Sequence, residues 1–128
     1  MIPETVTLTG RRNAPFVEEY EFADEGGQPL DFTDCSVAMQ LRLYAGASGS
    51  PLISLTDTDG TDGRAYFNDP TDGVLSVTIA EASLNALPAR ASTDTRESFY
   101  YDLLITWPDG LTECLMEGQF ILKAGVTR

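Results

Sequence analysis

Histidine is missing from all 128 residues of this chain. Without an imidazole, Ser-His-Asp triads and Cys-His nucleophile pairs are excluded, and the commonest zinc ligand is gone. Basic residues are scarce: 8 Lys and Arg stand against 20 Asp and Glu, a net charge of −12. Such a field repels phosphate, so neither nucleic acid nor an anionic membrane surface is an expected partner. No apolar run approaches the about 20 residues that a membrane-crossing helix needs. The opening MIPETVTLTGRRN lacks the charged start and apolar centre of a secretory signal. Synthesis and folding in a cytoplasm are therefore expected. Cysteine is limited to Cys35 and Cys114, with no metal-binding spacing such as C-x-x-C. Two such thiols are expected to be reduced and buried, with a bridge pinning two sheets as the alternative.

What is present is patterned apolar sequence. Apolar residues make up 42% of the chain, enough for one domain over residues 1–128 with its own core. In CSVAMQLRLY, residues 35–44, Cys35, Val37, Met39, Leu41 and Leu43 alternate with Ser36, Ala38, Gln40, Arg42 and Tyr44. A period of two is a half-buried strand; at helical spacing the same residues would circle the cylinder. GVLSVTIA, residues 73–80, puts Leu75, Val77 and Ile79 on one face. SFYYDLLITW, residues 98–107, aligns Phe99, Tyr101, Leu103, Ile105 and Trp107. In LTECLMEGQFILK, residues 111–123, Cys114, Met116, Phe120 and Leu122 alternate with Glu113, Glu117 and Gln119. Gly118 interrupts that run and marks a bulge or a close backbone approach.

Between the last two runs lies Pro-Asp-Gly, residues 108–110. Proline presets the first turn position, glycine accepts the positive φ that ends it, and alternating runs flank it, so this is a hairpin turn. Asp109 is read there as a turn former. VTLT at 6–9, APFVEEYEFA at 14–23 and PLISLT at 51–56 are further, weaker strands; Phe16, Tyr20 and Phe22 share a side, and residues 24–27 turn the chain. EASLNALP carries the one helical signal, with Leu84 and Leu87 inward and Pro88 as the stop. About seven short strands and one short helix near 81–87 predict an all-β fold, a single antiparallel β-sandwich. Val37, Met39, Leu41, Leu75, Val77, Ile79, Leu103, Ile105, Met116 and Phe120 are its expected core.

Candidate chemistry is sparse. TDTDGTDGRAYFNDPTDG, residues 56–73, carries Asp57, Asp59, Asp62, Asp69 and Asp72. Clustered carboxylates on a loop can wrap calcium, yet the spacing misses the known helix–loop–helix pattern: counting from Asp57, Thr61, Asp62 and Asn68 fall where an acid, glycine and glutamate belong. Aspartate–glycine turns, with a hairpin around residues 64–67, explain the stretch as well. For glycoside hydrolysis, Glu18, Glu19 and Glu21 are adjacent in one strand, and Glu113 and Glu117 share a face of another, though a sandwich of this size seldom provides the deep cleft needed. Trp107, Tyr100, Tyr101, Tyr44 and Tyr66 offer rings on which a sugar could stack, or packing. Arg11 and Arg12 could dock on an acidic neighbour, or simply aid solubility. None of these amounts to a triad, metal set or phosphate loop. No catalytic, cofactor-binding or metal residue is assigned, no small-molecule substrate is expected, and an enzyme is not expected.

Several short motifs, in order, resemble the small β-sandwich virion proteins of tailed bacteriophages. They are PLDFTD at 29–34, AMQLRL at 38–43, GVLSVTIA at 73–80, ASLNALP at 82–88, FYYDLLITWPDG at 99–110 and MEGQFILKAGVTR at 116–128. The match spans nearly 100 residues. Phe32 and Asp34 depart from the leucine and glycine usual in the first motif. The resemblance implies an immunoglobulin-like sandwich similar to the attachment domains of upper baseplate and fibre proteins and to head decoration or connector accessories. It carries over no catalytic residues. It implies a non-enzymatic structural protein of the virion, made and assembled in the host bacterial cytoplasm, present in many copies and contacting tail, fibre, connector or capsid subunits. A tail, collar or fibre-attachment adaptor is the leading expectation. A head decoration protein and a carbohydrate-binding module for host adsorption are the alternatives. The first strand and the 45–73 region are the expected contact elements.

Overall fold

A computed structural model describes residues 4–44, 46–88 and 96–124. Each alternating run has become a strand. Along the chain these are β1 (Glu4–Thr5), β2 (Leu8–Arg11), β3 (Phe16–Glu21), β4 (Ser36–Arg42), β5 (Ile53–Thr56), β6 (Gly63–Asp69), β7 (Val74–Ile79), β8 (Arg96–Thr106) and β9 (Thr112–Lys123), with the helix α1 (Glu81–Asn85) between β7 and β8. The large sheet has the order β1-β9-β8-β4-β5, with β2 also on β9; the small sheet has the order β3-β7-β6. This is the immunoglobulin-like arrangement A′-G-F-C-C′ over B-E-D.

The pairing is antiparallel except at one edge. β1 and β2 both run parallel to β9. Thr5 pairs with Glu117 and Leu8 with Phe120, the same offset on either side of Val6 and Thr7. The two short strands are therefore one edge strand, interrupted where Val6 meets Gly118. A Cβ at Gly118 would lie 2.6 Å from the Val6 carbonyl oxygen, and φ there is +150°. The close-approach reading of this glycine is the right one. The bulge falls elsewhere: Leu103 pairs with Met116 but Leu104 with Cys114, so Leu115 is the extra residue. Leu115 is buried beside Met116, and the parity of everything before it is reversed relative to the run after it.

The ten expected core residues are all buried. Phe16 from the small sheet meets Phe120 from the large one edge-to-face, 5.3 Å between centroids. One end of the sandwich is plugged by Leu84 and Leu87 of the helical segment. The other is filled by Phe32, which stacks on Phe67 at 4.5 Å and lies 5.7 Å from Trp107. Each such fully buried side chain contributes about 1.5–3 kcal/mol relative to exposure.

The strand count rises from about seven to nine because the N-terminal edge strand is split and because β6 was hidden in the aspartate-rich stretch. The hairpin expected around residues 64–67 is instead centred on the 3-10 turn Pro70–Asp72, which joins β6 to β7. The turn at 108–110 forms as read: Gly110 N–H donates to the Trp107 carbonyl at 2.8 Å, and Asp109 Oδ1 accepts from Leu111 N–H at 2.9 Å. In the 29–34 segment, Asp34 holds φ +62°. Aspartate is among the few side chains that tolerate this left-handed region. Residues 125–128 of the last motif lie outside the described residues.

Candidate functional site

The structure distributes the candidate residues widely. Arg12 has an internal role. Its Nη1 donates to the carbonyls of Leu84, Asn85 and Leu87, at 3.3, 3.2 and 3.0 Å, and Nη2 to that of Pro88 at 3.4 Å. It binds carbonyls at the end of α1 and in the segment after it, of which that of Leu84 also accepts from Leu87 N–H at 3.2 Å. Arg11 Nε donates to Asn13 Oδ1. The pair is not presented jointly to a neighbour.

In the aspartate-rich stretch, Asp62 is a staple. Its Oδ2 accepts from Ser54 N–H at 3.0 Å and its Oδ1 from Ser83 Oγ at 2.7 Å, tying the edge strand β5 to the helix. Covering an edge N–H with a carboxylate also blocks sheet extension there. Arg64 Nε donates to the Asp57 carbonyl at 2.7 Å, and Asp69 accepts from Thr71 Oγ1. Among the described residues no group of three or more Asp, Glu, Cys or His converges to hold a metal ion. Among these carboxylates, Asp62 ties a strand edge and Asp69 a turn.

Glu19 lies on the outer face of the small sheet, where Asn68 Nδ2 donates to it at 3.1 Å. Glu113 and Glu117 do not share a face. The Leu115 bulge turns Glu113 toward Trp107, whose indole N–H donates to Glu113 Oε2. That bond holds the Glu113 carboxyl below its usual range. Glu117 remains on the outer face, directly opposite Asp102.

The cysteines are free. Cys35 packs against the core near the start of β4, while the bulge places Cys114 on the outer face opposite Leu104. β8 runs between β4 and β9, a separation of about 9–10 Å at the usual strand spacing, beyond the about 7 Å limit for a bridge. Burial and neighbouring carboxylates push both thiols up: Asp31, Asp34 and Asp109 act on Cys35, and Glu117 and Asp102 on Cys114. Both are held as poorly nucleophilic thiols at neutral pH.

The five aromatic candidates separate cleanly. Tyr101 is buried, and its hydroxyl reaches over Gly118 to donate to the Val6 carbonyl at 2.7 Å. Trp107 packs on Phe32. The face of Tyr66 is covered by the Arg64 guanidinium, 3.9 Å from the ring centroid. Tyr44 and Tyr100 are exposed, 57% and 37%. Both line one groove of about 350 Å³ on the outer face of the large sheet, together with Gln40, Arg42, Asp102 and Glu117.

Cross-strand register builds this groove. One row runs Gln40, Asp102, Glu117, Thr5 across β4, β8, β9 and β1; the next pairs Arg42 with Tyr100 and Tyr100 with Gln119. Gln119 Nε2 donates to the Tyr100 hydroxyl at 3.3 Å. Arg42 Nη1 donates to the Ala47 and Gly49 carbonyls and Nη2 to Gln40 Oε1, so its guanidinium is held along the wall. Tyr44 and Tyr100 were visible in the sequence as aromatics, and Glu117 as one of a carboxylate pair. Gln40, Arg42 and Asp102 were legible only as the outward row of alternating runs, with nothing to bring three strands together.

No protein-family model matches the chain, and no curated protein is significantly similar to it.

Proposed function

We propose that this chain is a non-enzymatic structural protein of a tailed-bacteriophage particle, acting as a tail, collar or fibre-attachment adaptor through protein–protein contacts. The observation that carries the reading is how the ordered motifs fall on the fold. AMQLRL lies within β4 and the residue after it, GVLSVTIA covers β7, ASLNALP runs from the second residue of α1 to its stop, and FYYDLLITWPDG from Phe99 within β8 through its hairpin. Asp34 takes a left-handed conformation of the kind glycine favours. The departure from glycine at that position is therefore compatible with the resemblance. The architecture suits the role: the interior is filled by the chain's own core, leaving sheet faces and edges for partners.

The test is composition and position in the particle. Mass spectrometry of purified virions encoding this chain should find it in multiple copies, and a particle reconstruction should place it at the tail, collar or fibre base. Density on the capsid lattice would instead support a head decoration protein. Absence from purified particles would end the structural reading.

A further inference from the structure

We propose that the groove on the outer face of the large sheet is a binding site for a neutral oligosaccharide. The site goes beyond the adaptor reading and does not depend on it. Three features of the lining carry the inference. Tyr44 and Tyr100 are the exposed aromatic rings of this face, and the apolar C–H face of a sugar ring packs on such surfaces while its hydroxyls remain available to polar neighbours. Asp102 and Glu117 stand directly opposite each other on adjacent strands, an arrangement that destabilises a bare sheet. Carboxylates so placed are paired acceptors for the hydroxyl donors of a sugar.

The third feature is the restraint of the one cation among the described residues of the groove. Arg42 is held by the Ala47 and Gly49 carbonyls and by Gln40 Oε1. It therefore serves as a fixed wall, and by occupying Gln40 Oε1 it leaves the Gln40 amide nitrogen as the donor end of that side chain. The groove thus offers stacking surface, acceptors and a donor in one place, within the range of about 300–1,000 Å³ usual for small-ligand sites. Its carboxylates and the net charge of −12 repel acidic sugars. Among saccharides, the neutral class is therefore the one this groove admits. Tyr66 offers no equivalent on the small sheet, because Arg64 covers its face.

The experiment is amide-resolved NMR titration of the full chain with neutral hexasaccharides of glucose, galactose or N-acetylglucosamine, alongside a lysine- and arginine-containing hexapeptide. At least one saccharide should shift the amides of Tyr44, Tyr100 and Asp102 in a saturable way. Tyr100→Ala and Asp102→Asn should weaken that binding at least about fivefold, the scale of one lost contact. Tyr66→Ala should leave it unchanged. Asp102→Asn relieves the opposition to Glu117, so the variant should melt no lower than the parent, and its lost binding cannot be ascribed to unfolding. The proposal is overturned if no saccharide shifts these amides, if the shifts map elsewhere, if Asp102→Asn binds as the parent does, or if the basic peptide alone occupies the groove.

Discussion

Replacing Gly118 with alanine tests the contact that seats the N-terminal edge strand. The new methyl would sit 2.6 Å from the Val6 oxygen and 3.2 Å from the Val6 carbonyl carbon, both backbone atoms that cannot rotate away. Backbone strain at the positive φ contributes about 1–3 kcal/mol. Relieving the clash also detaches two hydrogen bonds, Val6 N–H to the Glu117 carbonyl at 3.0 Å and the Tyr101 hydroxyl to the Val6 carbonyl at 2.7 Å. At about 0.5–1.5 kcal/mol each, the total loss is about 2–6 kcal/mol. Gly110→Ala is the matched control: φ is +94°, but nothing lies within 4 Å of the added carbon, so only the strain of about 1–2 kcal/mol applies. Urea unfolding of the two variants should therefore differ by at least about 1 kcal/mol, or about 4 °C in melting temperature for a domain of this size. Hydrogen exchange at the Val6 amide should accelerate in Gly118→Ala alone. Because Tyr101→Phe acts on the same strand, it should add little on the Gly118→Ala background. Equal losses in the two glycine variants, with Val6 still protected, would refute the reasoning.

Further expectations follow from other contacts. Arg12→Ala should cost about 1–2 kcal/mol and speed exchange of the amides of residues 84–87; Arg12→Lys should restore only part, lacking the fork that reaches several carbonyls. Asp62→Ala should cost about 1–2 kcal/mol by freeing Ser54 N–H and Ser83, and calcium should not raise the melting temperature of either form. Burial raises the Tyr101 phenol well above its ordinary value, helped by Tyr20, and burial with Glu18 raises that of Tyr20. Unfolded phenols ionise near about pH 10, so stability should be fully present below that pH and fall as pH rises beyond it. Melting temperature followed from pH 7 upward should show this decline, and Tyr101→Phe should make it shallower. At the acid end the Thr33 hydrogen bonds lower the Asp31 carboxyl and the Trp107 indole lowers that of Glu113. Their contribution is present above the ordinary carboxylate range and should be lost as pH falls below it, so Trp107→Phe should flatten the acid limb of the same curve.

The alternating runs were sufficient to identify the strands they became, because on a two-sided sheet each residue's hydrophobicity reports its own face. They also indicated the ten core positions and the hairpin after Trp107. Two things defeated that reading. A single extra residue, Leu115, reverses parity, so Cys114 and Glu113 exchange faces relative to the strict alternation. And β6 carries Gly63, Asn68 and Asp69, whose local preferences are those of a turn; only pairing with β7 along its length makes it a strand. Local propensity lost there to tertiary pairing.

For the candidate site the division is sharper. The sequence by itself determined that the protein is all-β, acidic, without an imidazole, and greasy at every second position, because those properties belong to single residues and their nearest neighbours. Only the tertiary structure decided that Arg12 caps a helix more than 70 residues away, that the edge strand runs parallel to β9, that the two thiols lie on different faces of one sheet, and that Tyr44, Tyr100, Asp102 and Glu117 share a groove. Each of these depends on which strand lies beside which and in what register, a choice made by the packing of the whole core rather than by any one segment.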